Sequence, residues 1–187
     1  MIKQLSFSII TLFSLIFYYG CQNKSEAYTL KVKEALLNNS NPSDSIIFGL
    51  RFSHKRKNIT FRINNLLRKK VLYRREEQVY YLFKLDSALE SGILFTEFEQ
   101  DQVKKIGFRF ILSEMNNYKN ADQLLEALAS LLHDWYGLPA YKDVDEEGNN
   151  EYKWIDGIKQ IHLRNDLDLV VLIEFTDLRK LYQLKNQ

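Results

Sequence analysis

Two stretches of this chain carry the spacing of an amphipathic helix, and most of the remainder alternates between apolar and polar positions. In residues 54–70, Ile59, Ile63, Leu66 and Leu67 share one helical face. In residues 121–136, Leu124, Leu128, Leu131, Leu132 and Trp135 do the same. Asn120 is placed to cap the second helix, with Gln123 three residues on to return a bond. Gly137 suits its end and Pro139 blocks continuation. Ser53 is the expected cap of the first helix, whose last turn holds Arg68, Lys69 and Lys70 in keeping with the helix dipole. After each helix the period falls to two. Strands are expected near 71–73, 79–85, 93–100 and 103–112, then near 140–144, 151–155, 158–164 and 167–175. Ile106, Phe108, Phe110 and Leu112 alternate with Lys105, Gly107 and Arg109, which gives a buried and a wetter sheet face. The connections are short, so neighbouring strands should run antiparallel.

One offset, 65, relates the two halves. It carries Ile59, Ile63, Leu66 and Leu67 onto Leu124, Leu128, Leu131 and Leu132. It also carries Ile93 onto Ile158, Phe98 onto Leu163, and Ile106, Phe108 and Phe110 onto Val171, Ile173 and Phe175. The turn at Gln100 and Asp101 falls on Asn165 and Asp166. The expected fold class is therefore α+β: two similar halves, residues 46–115 and 116–180, each one helix packed on an antiparallel four-stranded meander. Neither half buries much by itself, so the two are expected to share a core.

The start of the chain has a different character. Lys3 precedes a largely apolar stretch of 15 residues, positions 5–19, and then come Gly20, Cys21 and Gln22. A membrane-spanning helix needs about 20 apolar residues, so this stretch is short for a permanent span and has the layout of a secretory signal. It resembles a bacterial lipoprotein signal, in which a small residue precedes a cysteine that becomes the lipidated first residue. Gly20 and Cys21 match that pattern; Tyr18 and Tyr19 depart from the leucine and small residue usual before them. The resemblance implies that residues 1–20 are removed, that Cys21 is acylated, and that the chain is held at a membrane of the cell envelope. Gln22 after the cysteine resembles lipoproteins sorted to the outer membrane, facing the periplasm. Cys21 is the single cysteine, and an unpaired cysteine in an oxidising compartment is explained by acylation. Residues 21–45 are polar and turn-rich and read as the lipidated cysteine and a tether. Tyr28, Val32 and Leu36 allow a short helix within it.

The body is similar, at the level of pattern, to the small helix-plus-meander modules of envelope lipoproteins and of the tandem β-lactamase inhibitory proteins. Phe48 and Gly49 before a capped helix carry that likeness, as do Trp135 to Pro139 after one and Tyr152 to Trp154 opening a meander. The resemblance implies a fold used for protein–protein contact; fold alone does not assign function.

Chemistry is thinly signalled. With residues 1–20 removed, 167 residues remain, and the formal net charge falls from +2 to +1 with the loss of Lys3. Whole-chain charge does not point to nucleic acid. Motifs such as HExxH, GxSxG, CxxC or a glycine-rich phosphate loop are missing. His54, His133 and His162 lie far apart without partners at ligand spacing, and His133 and Asp134 are adjacent on a helix, where side chains diverge. Asp143, Asp145, Glu147 and Gly148 match the opening of a calcium loop, but Trp154 stands where its bidentate glutamate belongs, so a hairpin turn is expected. No cofactor or metal is expected, and a catalytic carboxylate pair that meets only in space would leave no trace here.

The distinctive feature is a basic run. Ten Lys and Arg, at 51, 55, 56, 57, 62, 68, 69, 70, 74 and 75, occur with no Asp or Glu between 51 and 75. Lys55, Arg56, Lys57, Arg62, Arg68, Lys69 and Lys70 are the candidate contacts to an anionic lipid surface or an acidic partner. Export places nucleic acid out of reach. Tyr80, Tyr81, Tyr152 and Trp154 are a candidate aromatic patch for protein or glycan binding, or else core. The first expectation is a lipid-anchored, non-enzymatic binding or assembly protein of the envelope. The second is an envelope hydrolase or glycan-binding protein with a site between the halves. The third is a cytosolic nucleic-acid binder.

Overall fold

A computed structural model describes residues 24–38, 44–86, 88–113, 117–144, 148–167 and 169–185. The leader, Cys21, and the Asp145, Glu146 and Glu147 of the calcium-like loop lie outside these residues. The chain is α+β, and the described residues form four helices and one antiparallel sheet of eight strands. Helix α1 covers residues 24–38, α2 is Arg56–Arg68, α3 is Ala121–Tyr136 and α4 is Leu178–Lys185. The strands are β1 Tyr73–Arg75, β2 Gln78–Leu85, β3 Ala88–Glu99, β4 Gln102–Ile111, β5 Tyr141–Val144, β6 Asn150–Asp156, β7 Lys159–Leu167 and β8 Val170–Asp177.

The strand order is β1-β2-β3-β4-β8-β7-β6-β5, so two meanders meet where β4 pairs with β8. The two expected four-stranded meanders are thus parts of one continuous sheet. The apolar alternation of β4 and β8 is complementary: Ile106, Phe108 and Phe110 pair with Phe175, Ile173 and Val171, and each strand covers the other's open edge. The offset of 65 pairs Phe108 with its own counterpart Ile173. It does not extend to the next strands. Phe108 pairs with Leu94 and Ile173 with Leu163, so Leu94 is the structural counterpart of Leu163, four residues before Phe98. Leu94 and Phe108 lie 14 positions apart and Leu163 and Ile173 only 10, so the first hairpin is longer by four residues; each hairpin also carries one register shift, between Glu97 and Phe98 and between Asn165 and Leu167. The expected turn at Gln100 and Asp101 forms, with φ of 49° and 65°, as a tight hairpin connection requires.

One sheet face is the core. Phe83, Phe108, Phe110, Leu163, Ile173, Phe175, Tyr152 and Trp154 are buried there. Helix α3 lies on this face across β6, β7 and β8 and reaches β2, burying Leu124, Leu125, Leu128 and Leu132. Asn120 Oδ1 accepts from Gln123 N at 2.9 Å, as its spacing predicts, while Gln123 Oε1 accepts from Lys119 N rather than from the cap residue. Gly137 takes φ 76° at the helix end.

Helix α2 meets the same face near the β3–β4 hairpin, where Arg56 N donates to Asp101 O. Its start differs from expectation. Lys55, with no side-chain cap bond, precedes the helix, because Ser53 is taken up by hydrogen bonds to the Asp44 carboxylate.

Residues 24–38 are more than a tether. Val32 is buried, and Tyr28 donates its hydroxyl to Gln160 Oε1 at 2.8 Å and packs on Tyr141. Gln160 and Tyr141 belong to the sheet's outer face, so α1 covers that face beside β5–β7. Helix α4 was not legible in the sequence; it follows β8, and Tyr182 donates to Thr29 O of α1 at 3.4 Å. Among the described residues no helix is long and apolar enough to cross a membrane.

Candidate functional site

The basic run is the candidate feature that the fold assembles into one surface. Lys55, Arg56, Lys57, Arg62, Arg68, Lys69 and Lys70 are all exposed, as are Arg51, Arg74 and Arg75. The apolar stripe of α2 explains this. Ile59 is buried and Ile63, Leu66 and Leu67 half-buried, so the remaining positions are turned outward. At about 100° per residue, Lys57, Phe61, Asn64 and Arg68 lie opposite Ile59. Phe61 is 61% exposed at the middle of that strip. The turn after α2 leads into the edge strand β1, whose Tyr73, Arg74 and Arg75 are exposed as well.

Among the described residues, this run is almost without carboxylate partners. Among the described residues, Arg51 is the one member within 4.0 Å of a carboxylate, with its guanidinium 3.8 Å from Asp44. Arg56 instead stacks over the Phe98 ring at 4.3 Å, and Arg68 bonds the Asn65 amide. His54, tucked behind the helix, has its pKa lowered by burial and then by the positive charges of Arg62 and Arg51.

On the outer face of β6–β8 the opposite arrangement holds. Glu151 meets His162 Nε2 at 2.8 Å and Lys153 Nζ at 2.8 Å. Glu174 is bonded by Lys105 at 2.7 Å, with Arg164 Nε at 3.5 Å and His162 Nδ1 at 4.0 Å. The His162 hydrogen bond, helped by Lys153, holds the Glu151 carboxyl down at about 2. This cluster had no motif to announce it. Its trace in the sequence is the lone Glu174 within an apolar strand and the alternation of His162 and Arg164 with buried neighbours. Among the described residues no group of three His, Cys, Asp or Glu side chains is arranged to hold a metal.

The four aromatic candidates do not form one patch. Tyr152 and Trp154 are 4% and 1% exposed, under α3, because their strand positions fall on the core face. Tyr152 donates to Glu126 at 2.5 Å and Trp154 Nε1 to Gly137 O at 2.9 Å. Tyr81 packs on Phe48 and Phe83 in the core, whereas Tyr80, one residue earlier, is turned to the outer face. Tyr152 and Trp154 do line the floor of an open cleft of about 430 Å3, with Glu126, Ser130, His133, Asp134 and Lys142 among its other walls. His133 and Asp134 sit exposed at its rim.

No family model, no curated protein and no solved structure matches this chain.

Proposed function

We propose that this is a lipid-anchored cell-envelope protein that works as a non-enzymatic binding or assembly module, with the α2–β1 surface as its contact face. The single observation that carries the binding role is the basic surface around exposed Phe61, almost without carboxylate partners among the described residues. Buried or clustered cations elsewhere in the chain have partners: Lys105 with Glu174, Lys153 with Glu151, Arg164 with Asp166 and Arg179 with Asp177. A fold that pairs its charges on one surface and, among the described residues, leaves nine of ten bases without a carboxylate on another is arranged for an external anion. The anchor itself rests on the leader, Gly20 and Cys21, and the outer membrane on Gln22. The two meanders meeting at β4–β8 support an origin by internal duplication, with the register shifts as later divergence.

Fractionation of the producing cells tests the anchor. The chain should be found in the membrane fraction with Met1 absent and acyl mass on Cys21; an intact Met1 and a bare Cys21 thiol would end the proposal.

A second reading, a hydrolytic or glycan site between the halves, draws on Glu151, His162 and Glu174. Glu151 is held ionised by its partners and so is a poor proton donor near neutral pH. Glu151→Gln should therefore change stability without abolishing any turnover of envelope glycans; complete loss of turnover with the fold intact would favour the enzyme.

A further inference from the structure

We infer that the α2–β1 face receives an acidic protein and is turned away from the bilayer that holds the chain. This rests on the anchored reading above and names the partner class for the same surface. Three observations converge on it.

The first is charge complementarity. The segment 51–75 carries ten bases and no acid, and among the described residues only Arg51 has a carboxylate within reach. The second is its anatomy. Phe61 stands 61% exposed on the strip formed by Lys57, Asn64 and Arg68. An aromatic anchor within an arginine-rich rim is how a protein interface divides its work: the ring supplies burial, and the charges supply orientation and speed of encounter.

The third observation decides between a protein and a lipid surface. Lys24, three residues after Cys21, sits on the sheet's outer face at β5, its ammonium 3.2 Å from Asp143. Helix α2 sits on the core face, joined to β1. β1 and β5 are the two opposite edges of the sheet. Lys24 and helix α2 thus lie on opposite faces of the sheet. A polybasic segment gains from anionic headgroups only within about a Debye length of them, on the order of 10 Å. A chain fixed near Lys24 presents α2 to the space beyond the membrane, where an acidic protein can approach it.

The test uses the full-length acylated chain in lipid nanodiscs, one set neutral and one containing anionic phosphatidylglycerol, both with brominated acyl chains. Phe61→Trp reports contact with lipid by quenching, measured against the parent, which already holds Trp135 and Trp154. The expected result is no added quenching in either disc. Poly-glutamate, the acidic polypeptide probe, should bind the disc-held chain. Lys57→Gln, Arg62→Gln and Arg68→Gln should each weaken that binding up to about five-fold, and added salt should do the same. Circular dichroism of each variant confirms that the fold is kept. A photo-crosslinker at position 61 in the producing cells should give a protein adduct that the triple variant loses.

Quenching in the anionic discs, or a lipid adduct from position 61, would overturn the inference. So would poly-glutamate binding that ignores the three substitutions. Heparin or an oligonucleotide binding more tightly than poly-glutamate, with the same sensitivity, would reassign the face to a polysaccharide or nucleic acid. A chain that leaves the neutral discs counts against the anchor alone, since the poly-glutamate titration can be run without it.

Discussion

Helices α2 and α3 follow similar apolar spacings and meet the same face of one sheet, yet they are built to different ends. α3 buries six of its 16 residues, is capped by Asn120 and closed by Gly137. α2 buries one residue of 13, Ile59, has no side-chain cap bond, and has no acid in its first turn. It opens with Arg56 and Lys57, cations at the positive end of the helix dipole. α3 is therefore held by what it covers, and its sequence answers to the core. α2 is held by a narrow stripe and by its neighbours, and most of its residues answer to what lies outside. The comparison teaches where to look for function: at the element whose local choices disregard its own stability.

The strongest way to break the comparison is to separate the two regions. They are joined at β4–β8, where Gly107 lies beneath the Phe95 ring and against Ile173 O. A methyl group at Gly107 would collide with both, and the carbonyl is backbone that cannot turn aside. Gly107→Ala should cost about 3–5 kcal/mol in urea unfolding. If α2 and α3 belong to one cooperative unit, amides of both should then exchange faster together. Loss of protection confined to the α2 side would mean two units and would weaken the shared-core account.

Next in size is the contrast between core and surface positions. Leu128 is fully buried on α3, so Leu128→Ala should cost about 3 kcal/mol. Phe61→Ala on α2 should stay within about 0.5 kcal/mol while impairing partner binding. Equal losses of stability would show that Phe61 is a packing residue and remove the anchor from the proposed interface.

Acid sharpens the contrast further, because the second meander carries the paired carboxylates Glu151 and Glu174 on its outer face and residues 51–75 carry none. Glu151 is held at about 2 against an ordinary value of 4.5, chiefly by the hydrogen bond from His162. Its folded state favours the charged form, so its contribution is present above about pH 4.5 and is lost as pH falls toward 2. The loss should amount to at most about 3 kcal/mol. Urea midpoints of the parent should fall across that window, and Glu151→Gln should be weaker at pH 7 with a flatter profile below 4.5. A parallel fall in both proteins would assign the acid sensitivity to other carboxylates.

The fold was legible where a pattern is local. The apolar stripe and cap of α3, the hairpin at Gln100 and Asp101, and the alternation of β4 and β8 all reappear in the structure. What escaped depends on partners distant in sequence. Nothing local says that β4 and β8 adjoin to make one sheet, that the β3–β4 hairpin is four residues longer than the β7–β8 hairpin, or that Ser53 prefers the carboxylate of Asp44 to the helix. The same holds for the site. Charge was readable, and the seven basic candidates are exposed as a run without acids suggests. Burial was not, because whether Tyr152 and Trp154 face solvent depends on which side of the sheet α3 covers. The Glu151–His162–Glu174 cluster, from three strands, was invisible for that reason too.

The smallest effects lie at the helix starts, and they test directly whether α2 forgoes stability. Asn120→Ala removes a cap that accepts from Gln123 N and should cost about 1 kcal/mol. Lys55 has φ −74° and ψ 159°, the extended backbone of a capping residue, but its side chain offers no acceptor. Lys55→Asp supplies one, and it also sets a negative charge at the positive end of the helix, so it should raise stability by about 0.5–1 kcal/mol. The same substitution removes a base from the contact face and adds an acid to it, so partner binding should weaken as the fold strengthens. Opposite signs in the two measurements would show that the lysine is kept for the surface. A variant that gains no stability would mean that the backbone bonds from Asn58 and Ile59 to Lys55 O already satisfy that end, and α2 would then be less compromised than its sequence suggests.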